Sequence, residues 1–434
     1  MSQDIHDFVT PMCELLGLGE PTHQEPAFGW VRNELFAGLV DRGFRSIALE
    51  TDRVAALAVD DYVREGVGSL DAAMAGGFSH GFGEHGANRE LVVWMSEFNR
   101  DRAPVERLSF HGFDAPTENY SAPSPRRYLE HARDYLRTGR EPGREPDPDP
   151  AAPDTAGPDI AGPAGADERW SRAEAVLDPA QSPGATAEAA RLRCAADDLL
   201  VRLHARAPEL IAATSHAEWS RARTWLTAGI GLLRYHAQSA VPGLTPGERL
   251  SGLLGLRDAL MAQNLLDIRD LEARRGPTLV FSHNRHLQRN PSAWAAGELD
   301  CGWNGAGRIV GALLGERYAF VAGSLGRSAA IGLGEPAPGT YEASLQQSVE
   351  VWELTEPVLP AGGRTRTDAT PPQGYFPLDR EAVAGAAALL HIPEGAAATA
   401  VAAAAAGARA GAGAGAASKA TPPEPADRGA AGPG

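Results

Sequence analysis

The stretch "AFGWVRNELFAGLVDRGFRSIALE", Ala27 to Glu50, decides the fold. Its first part carries apolar residues at helical spacing and stops at Gly43. Its last six residues, "RSIALE" (45–50), form a short apolar run closing on an acid, the pattern of a buried strand. The same alternation spreads in both directions. Residues 13–19 read as a short strand, and 53–65 and 88–101 as helices. "RLSFHGFD" (107–114) is a third strand that also ends in an acid. "TLVFSHNRH" (278–286) is a fourth, ending in histidines, and "RYAFVAGSLG" (317–326) a fifth. Strands separated by helices predict an α/β fold: a mostly parallel sheet flanked by helices. Residues 168–275 hold long helices and no strand, a helical insertion between the third and fourth core strands.

Five segments follow. Residues 1–138 and 276–394 form the two parts of the α/β core, and 168–275 the insertion. Residues 139–167 are crowded with Pro, Gly, Ala and acid and bury too little apolar surface to order; they are expected to be a disordered loop. Residues 395–434 are an Ala/Gly tail whose glycines and final prolines argue against a packed element.

The chain has 434 residues, 43% of them apolar, enough for a sizeable core. Its net charge of −16 leaves no basic surface for nucleic acid. The sole lysine is Lys419, in the tail, which excludes a P-loop or Schiff-base lysine from the folded part. Cys13, Cys194 and Cys301 are isolated and make neither a disulfide framework nor a thiolate zinc site. No signal-peptide pattern opens the sequence, and no long uncharged apolar stretch spans a membrane in the ordered part; a cytoplasmic, soluble protein with no membrane partner is expected.

Polar residues recur at strand ends. Glu20 and His23 follow the first strand, Glu50 and Asp52 the second, and His111 and Asp114 mark the third. His283, Asn284 and His286 follow the fourth. In open α/β sheets the carboxyl ends of neighbouring strands share a crevice where ligands bind. Four strands delivering acids and histidines to one edge predict an active site there.

"LGEPTHQEPAF", "IALETD" and "FSHNRHLQRN" resemble three signatures of the erythromycin esterase family: GE-x-x-HG, a strand ending in Glu, and a later HN-x-H. "HGFDA" (111–115) is similar to the family's G-x-D strand end. The resemblance covers about residues 13–340 and implies the α/β core above. It also implies hydrolysis of a macrolide lactone with no required metal or other cofactor. Position by position it implies catalytic roles for Glu20, His23, Arg32, Glu50, His283 and His286; Gln24, Asp114 and Asn284 are candidate substrate-binding residues. Gln24 stands where the family usually has glycine, and a side chain there narrows the cleft or contacts the ligand.

The residue types suit that chemistry. Lactone hydrolysis without a metal needs a base for water and donors for the oxyanion. His23 is the candidate base, oriented by Glu20 or Glu50. Arg32 would hold a carboxylate or the oxyanion, and His283 or His286 would donate to the oxyanion or the leaving alkoxide. The same acids and histidines permit divalent-metal binding as a second reading. "GFSHG" (77–81) matches G-x-S-x-G at Ser79 but lacks the strand–turn–helix context of a nucleophile elbow. His80 and His85 share that loop. Trp219, Trp225 and Tyr235 on one helix serve either core packing or an apolar ligand wall. The substrate is read as a small molecule, a macrolide or another polyketide or peptide natural product. The alternatives are a biosynthetic tailoring enzyme using the site for acyl transfer or cyclisation, and a non-enzymatic binding protein.

Overall fold

The structure, a computed structural model, describes residues 5–118, 121–138, 158–296 and 299–417. Strands Leu15–Glu20 (β1), Ser46–Asp52 (β2) and Ser109–Asp114 (β3) precede the helical region. Thr278–His283 (β4), Ser292–Ala296 (β5), Leu299–Trp303 (β6), Tyr318–Arg327 (β7), Glu353–Thr355 (β8) and Ala388–Glu394 (β9) follow it. Seven of them form one sheet in the order β3-β2-β4-β1-β7-β9-β8. Every pairing from β3 to β9 is parallel, and short β8 closes the edge antiparallel. β5 and β6 pair apart from it as an antiparallel hairpin.

The helices that matter below are Pro26–Val40 (α1), Ala56–Glu65 (α2), Gly86–Asn99 (α3), His216–Ser239 (α4), Pro246–Glu272 (α5) and Gly395–Ala417 (α6). Leu16, Leu18, Ile47 and Leu49 pack on one face of the sheet with Phe28 and Phe36 of α1. Leu15, Ala48, Val280 and Phe320 pack on the other with Met261, Leu265 and Ile268 of α5. Both faces are covered, so the strands read as continuous apolar runs rather than alternating ones. Each residue of β1 is buried.

β4 ends at His283, earlier than the sequence suggests, and Asn284–Leu287 form a helical turn. Asn284 fixes that turn. Its Nδ2 donates to the Gly323 carbonyl at 2.8 Å and its Oδ1 accepts from the Gly323 N–H at 3.0 Å. To reach β7 the amide crosses over β1 at Gly19, where a Cβ would lie 2.1 Å from Asn284 Oδ1. Glycine is required there by close approach.

The described elements between β3 and β4 are helical and have their own core around Trp170, Leu192, Leu199 and Leu226. The α4 aromatics belong to this layer. Trp219 donates to the Leu203 carbonyl at 3.0 Å, Trp225 stacks on His131 at 4.5 Å, and Tyr235 is buried. They pack the helices, and Tyr235 also lies near Arg257 and Asp114. Of the expected disordered loop, residues 139–157 lie outside the described residues. Its end is packed, with Ile160 and Ala164 fully buried in the helical core.

The tail expectation needs correcting too. Residues 395–417 form α6, and Ala398, Ala402 and Ala406 are buried. Their i, i+4 spacing makes a flat stripe, and Ala398 and Ala402 share a cluster with Phe28 and Val31 of α1. Glu394 caps the start, accepting from the Ala396 and Ala397 N–H groups at 3.2 and 2.7 Å. The acid at the end of β9 is the signal that a composition reading passes over. Residues 418–434 lie outside the described residues.

If α6 belongs to the core, Ala402→Glu, which overfills the stripe, should lower the unfolding free energy by about 1–3 kcal/mol. A urea midpoint equal to wild type would mean the helix does not dock.

Candidate functional site

The carboxyl ends of β1, β4 and β2 lie side by side, because β4 pairs with both β1 and β2. Glu20 is in register with His283. After Glu20 the chain turns through Pro21 and re-enters helix at Pro26, with Glu25 capping the Ala27 N–H at 3.0 Å. This turn carries His23. Its Nδ1 lies 2.7 Å from Glu20 Oε1, and its Nε2 lies 3.6 Å from Glu50 Oε2. The His23 side chain keeps 33% of its surface exposed and lines a cavity.

Glu50 is the centre of the network. Its Oε2 accepts from Ser282 Oγ at 2.5 Å and from the His283 N–H at 3.2 Å. Its Oε1 accepts from Arg257 Nη2 at 2.9 Å, with His286 Nε2 at 3.4 Å. Burial opposes its charge, but His286, His23, Arg257 and the Ser282 hydrogen bond outweigh burial and hold it well below the usual carboxylate range. Burial also opposes a charge on His23, yet the Glu50 charge and the Glu20 hydrogen bond lift its imidazole to about 9. Burial raises Glu20, against the pull of His23. Glu20 and His23 are thus joined by a short hydrogen bond that faces an anionic Glu50.

Two helix residues complete the cluster, and the sequence reading missed both. Arg257 of α5 donates from Nε to Asp114 Oδ1 at 2.9 Å and from Nη2 to Asp114 Oδ2 at 2.6 Å. The adjacent Asp258 accepts from His286 Nδ1 at 2.9 Å, from Trp303 Nε1 at 2.8 Å and from the Ala306 N–H at 2.8 Å. An Arg–Asp pair in the apolar run "SGLLGLRDALM" (251–261) was the available signal. His80 is a third. Its Nε2 lies 2.9 Å from Asp114 Oδ2, and Glu118 takes both its ring Nδ1 and its backbone N–H. Its φ of 57° is in the left-handed region, an uncommon place for a residue with a side chain.

Some expected ligand-facing residues are otherwise engaged. Asp114 is fully buried and used by Arg257, His80 and the Ala115 N–H, so it holds charge in place instead of meeting a substrate. Asn284 is committed to Gly323 in the same way. His283 accepts the Arg285 N–H at Nδ1, 3.1 Å, and its Nε2 lies 3.1 Å from the Pro21 carbonyl. Burial and the nearby His23 and His286 hold it far below the ordinary imidazole value, so the ring is neutral and both nitrogens are occupied. Its Nε2–H is donated to the Pro21 carbonyl, which ties the ring to the turn. His111 sits mid-strand and pairs with Glu272 at 2.8 Å, away from the cluster. Ser79 accepts the Asp52 N–H at 2.9 Å and bonds Thr51, so its hydroxyl pins the loop to β2.

A cavity of about 300 Å³ opens beside His23, floored by Glu20 and Glu50 and walled by Phe78, Phe82 and Phe281. Gln24 is at its exposed rim. Arg32, 1% exposed, lines it as well. Its guanidinium donates to Asn33 Oδ1 at 2.9 and 2.6 Å and to Asn88 Oδ1 at 2.9 Å, and lies over the Phe281 ring. Among the described residues no carboxylate lies within ion-pair distance of it. Burial lowers it to about 10, against Glu20 and Glu90, and it stays charged. Among the described residues, no three His, Cys, Asp or Glu side chains converge in a metal-holding geometry. No helix among them is long and apolar enough to cross a membrane.

The family model described as erythromycin esterase matches residues 39–411. The turn bearing Glu20, His23 and Arg32 precedes the matched span. Three solved structures share the fold. One is a Bacillus cereus protein, 16% identical, covering 90% of each chain with a TM-score of 0.63. Another is a mutant erythromycin esterase in its open conformation, 18% identical, covering 88% of this chain and 91% of its own, TM-score 0.58. The third is a succinoglycan biosynthesis protein, 15% identical, covering 90% of each chain, TM-score 0.60. No curated relative matches in sequence.

The charge arrangement has a spectroscopic consequence. Histidine NMR should show an imidazole titrating near 9, and Glu20→Gln, which removes the negative charge beside Nδ1, should move that titration down. A titration unmoved by the substitution would mean that Glu20 does not hold the His23 proton.

Proposed function

The chain belongs to the erythromycin esterase family, and from that premise we propose that its strand-end cluster hydrolyses an ester by water attack, with His23 as the base. The observation that carries this reading is the His23 Nε2 edge, facing the cavity and Glu50 while Nδ1 is held by Glu20. A water between His23 and the ester carbonyl gives its proton to Nε2 as its oxygen bonds to the carbonyl carbon. Negative charge develops on the carbonyl oxygen, and the free N–H groups of Arg32, which is charged yet bonded only to neutral amides, stabilise it. When the tetrahedral intermediate collapses, the proton on His23 passes to the leaving alkoxide. Glu20 and Glu50 stabilise the imidazolium between these steps. Arg257, His286 and Asp258 keep Glu50 in place and touch no substrate.

The elevated value of His23 fixes the sign of the pH dependence. The unprotonated base appears only as pH climbs towards about 9. Thus kcat/KM rises with pH along a limb centred above the ordinary imidazole value of about 6.5. A lactone or another ester is the substrate class. Acyl transfer to a second nucleophile in place of water would use the same groups.

His23→Ala should keep the circular-dichroism spectrum and lose about 10²–10⁴-fold in turnover of an activated ester. Near wild-type turnover in a folded variant would remove His23 from the mechanism. Ser79→Ala should stay within about tenfold, since Ser79 anchors a loop. A serine-bound acyl adduct in the intact-protein mass would overturn water attack.

A further inference from the structure

A segment near the end of the chain closes one side of the active-site turn. Thr22 Oγ1 donates to the Gln373 carbonyl at 3.2 Å, and the Phe376 N–H donates to the Pro21 carbonyl at 2.9 Å. The Phe376 ring packs against His283 at 4.8 Å. The far side of the segment is tied down as well, with Gln373 Nε2 donating to the Gly332 carbonyl at 2.9 Å. Gln24 completes the closure from the rim. Its Nε2 donates to the Pro372 carbonyl at 3.4 Å and packs against Gly374, where a Cβ would come within 3.0 Å of it. Gly374 has a φ of +54°, so the strap turns sharply at the point where Gln24 meets it. A glycine at position 24 could make none of these side-chain contacts.

Opposite the strap, the loop before α3 seals the cavity with aromatic rings. Phe82 stacks at 5.2 Å from His23, 5.6 Å from His80 and 5.3 Å from His85. Gln24, which the strap holds, lines a cavity of about 300 Å³ together with this ring cluster and α1, the small end of the about 300–1,000 Å³ range of ligand pockets. Its apolar walls flank His23, and the buried Arg32 guanidinium lines it as well.

We propose that Gln24 and the strap at 371–376 restrict the site to compact esters with a short acyl group, and exclude macrocyclic lactones. This rests on the hydrolase reading above. The carbonyl oxygen points at Arg32, the short apolar acyl chain lies against Phe78 and Phe82, and the Gln24 side chain, held at the rim by the strap, stands where a macrocycle would extend. Gln24 is thereby a specificity-determining residue.

The test is a kcat/KM series on p-nitrophenyl acetate, butyrate and decanoate and on a fourteen-membered macrolactone. The wild-type enzyme is expected to favour acetate or butyrate over decanoate by at least about a hundredfold, with no macrolactone opening detectable by mass spectrometry. Gln24→Gly and, as an independent variant, Gln24→Ala should each narrow the short-to-long ratio at least about tenfold. Wild-type turnover of the macrolactone at a rate comparable with butyrate would overturn the size restriction while leaving the hydrolase reading intact. A ratio unchanged in both variants would overturn the role of Gln24. Absence of turnover on every ester would sink the hydrolase reading and this inference with it.

Discussion

The Glu50 carboxylate is the interaction on which the site depends. It is 5% exposed and receives Ser282, the His283 N–H and Arg257, with His23 and His286 close by. An isolated buried carboxylate would take up a proton. Here the surrounding donors hold it anionic, and the anion in turn holds the His23 imidazole protonated far above its usual range. The sheet places this charge. β2 lies next to β4 and β4 next to β1, so the acid on β2 reaches the backbone of β4 and the imidazole following β1.

From Glu50 the charges form a continuous line. Arg257 joins it to Asp114, Asp114 joins Arg257 to His80, and His80 ends on Glu118. A second branch runs from Glu50 through His286 to Asp258, which Trp303 and the Ala306 N–H satisfy. Removing one member leaves its partner buried and unpaired, which costs far more than the pair contributes. Such groups therefore respond to substitution as a unit. Arg32 is the exception within the cavity. It is buried and charged, and its hydrogen bonds go to amides rather than to a carboxylate.

Much of the fold was legible because buried parallel strands have an unmistakable signature. The runs at 45–50 and 278–283 are apolar on both faces and end in groups that need water or a partner. β8 was not legible: three residues cannot carry a periodic signal, and only pairing with β9 makes them a strand. α6 was hidden for a different reason. Alanine packs by being small against a matching surface, and that surface belongs to α1, far away in sequence. Composition alone cannot distinguish such a stripe from a solvated tail.

For the site, the sequence by itself determined the pairs that local geometry brings together. Glu20 and His23 are three residues apart on a proline-bounded turn, and His283 and His286 three apart on one helical turn. It also placed Glu50 at the end of a strand. The tertiary structure alone decided which of these groups are free to act. His283 proved to be tied to backbone on both nitrogens, Asn284 to be a clamp across Gly19, and Asp114 to be enclosed by Arg257 and His80. Arg257 and Asp258 entered from a helix more than two hundred residues after Glu50. The reason is physical. A polar side chain's role depends on whether its hydrogen bonds are already spent, and the partners that spend them come from strands and helices distant in the chain.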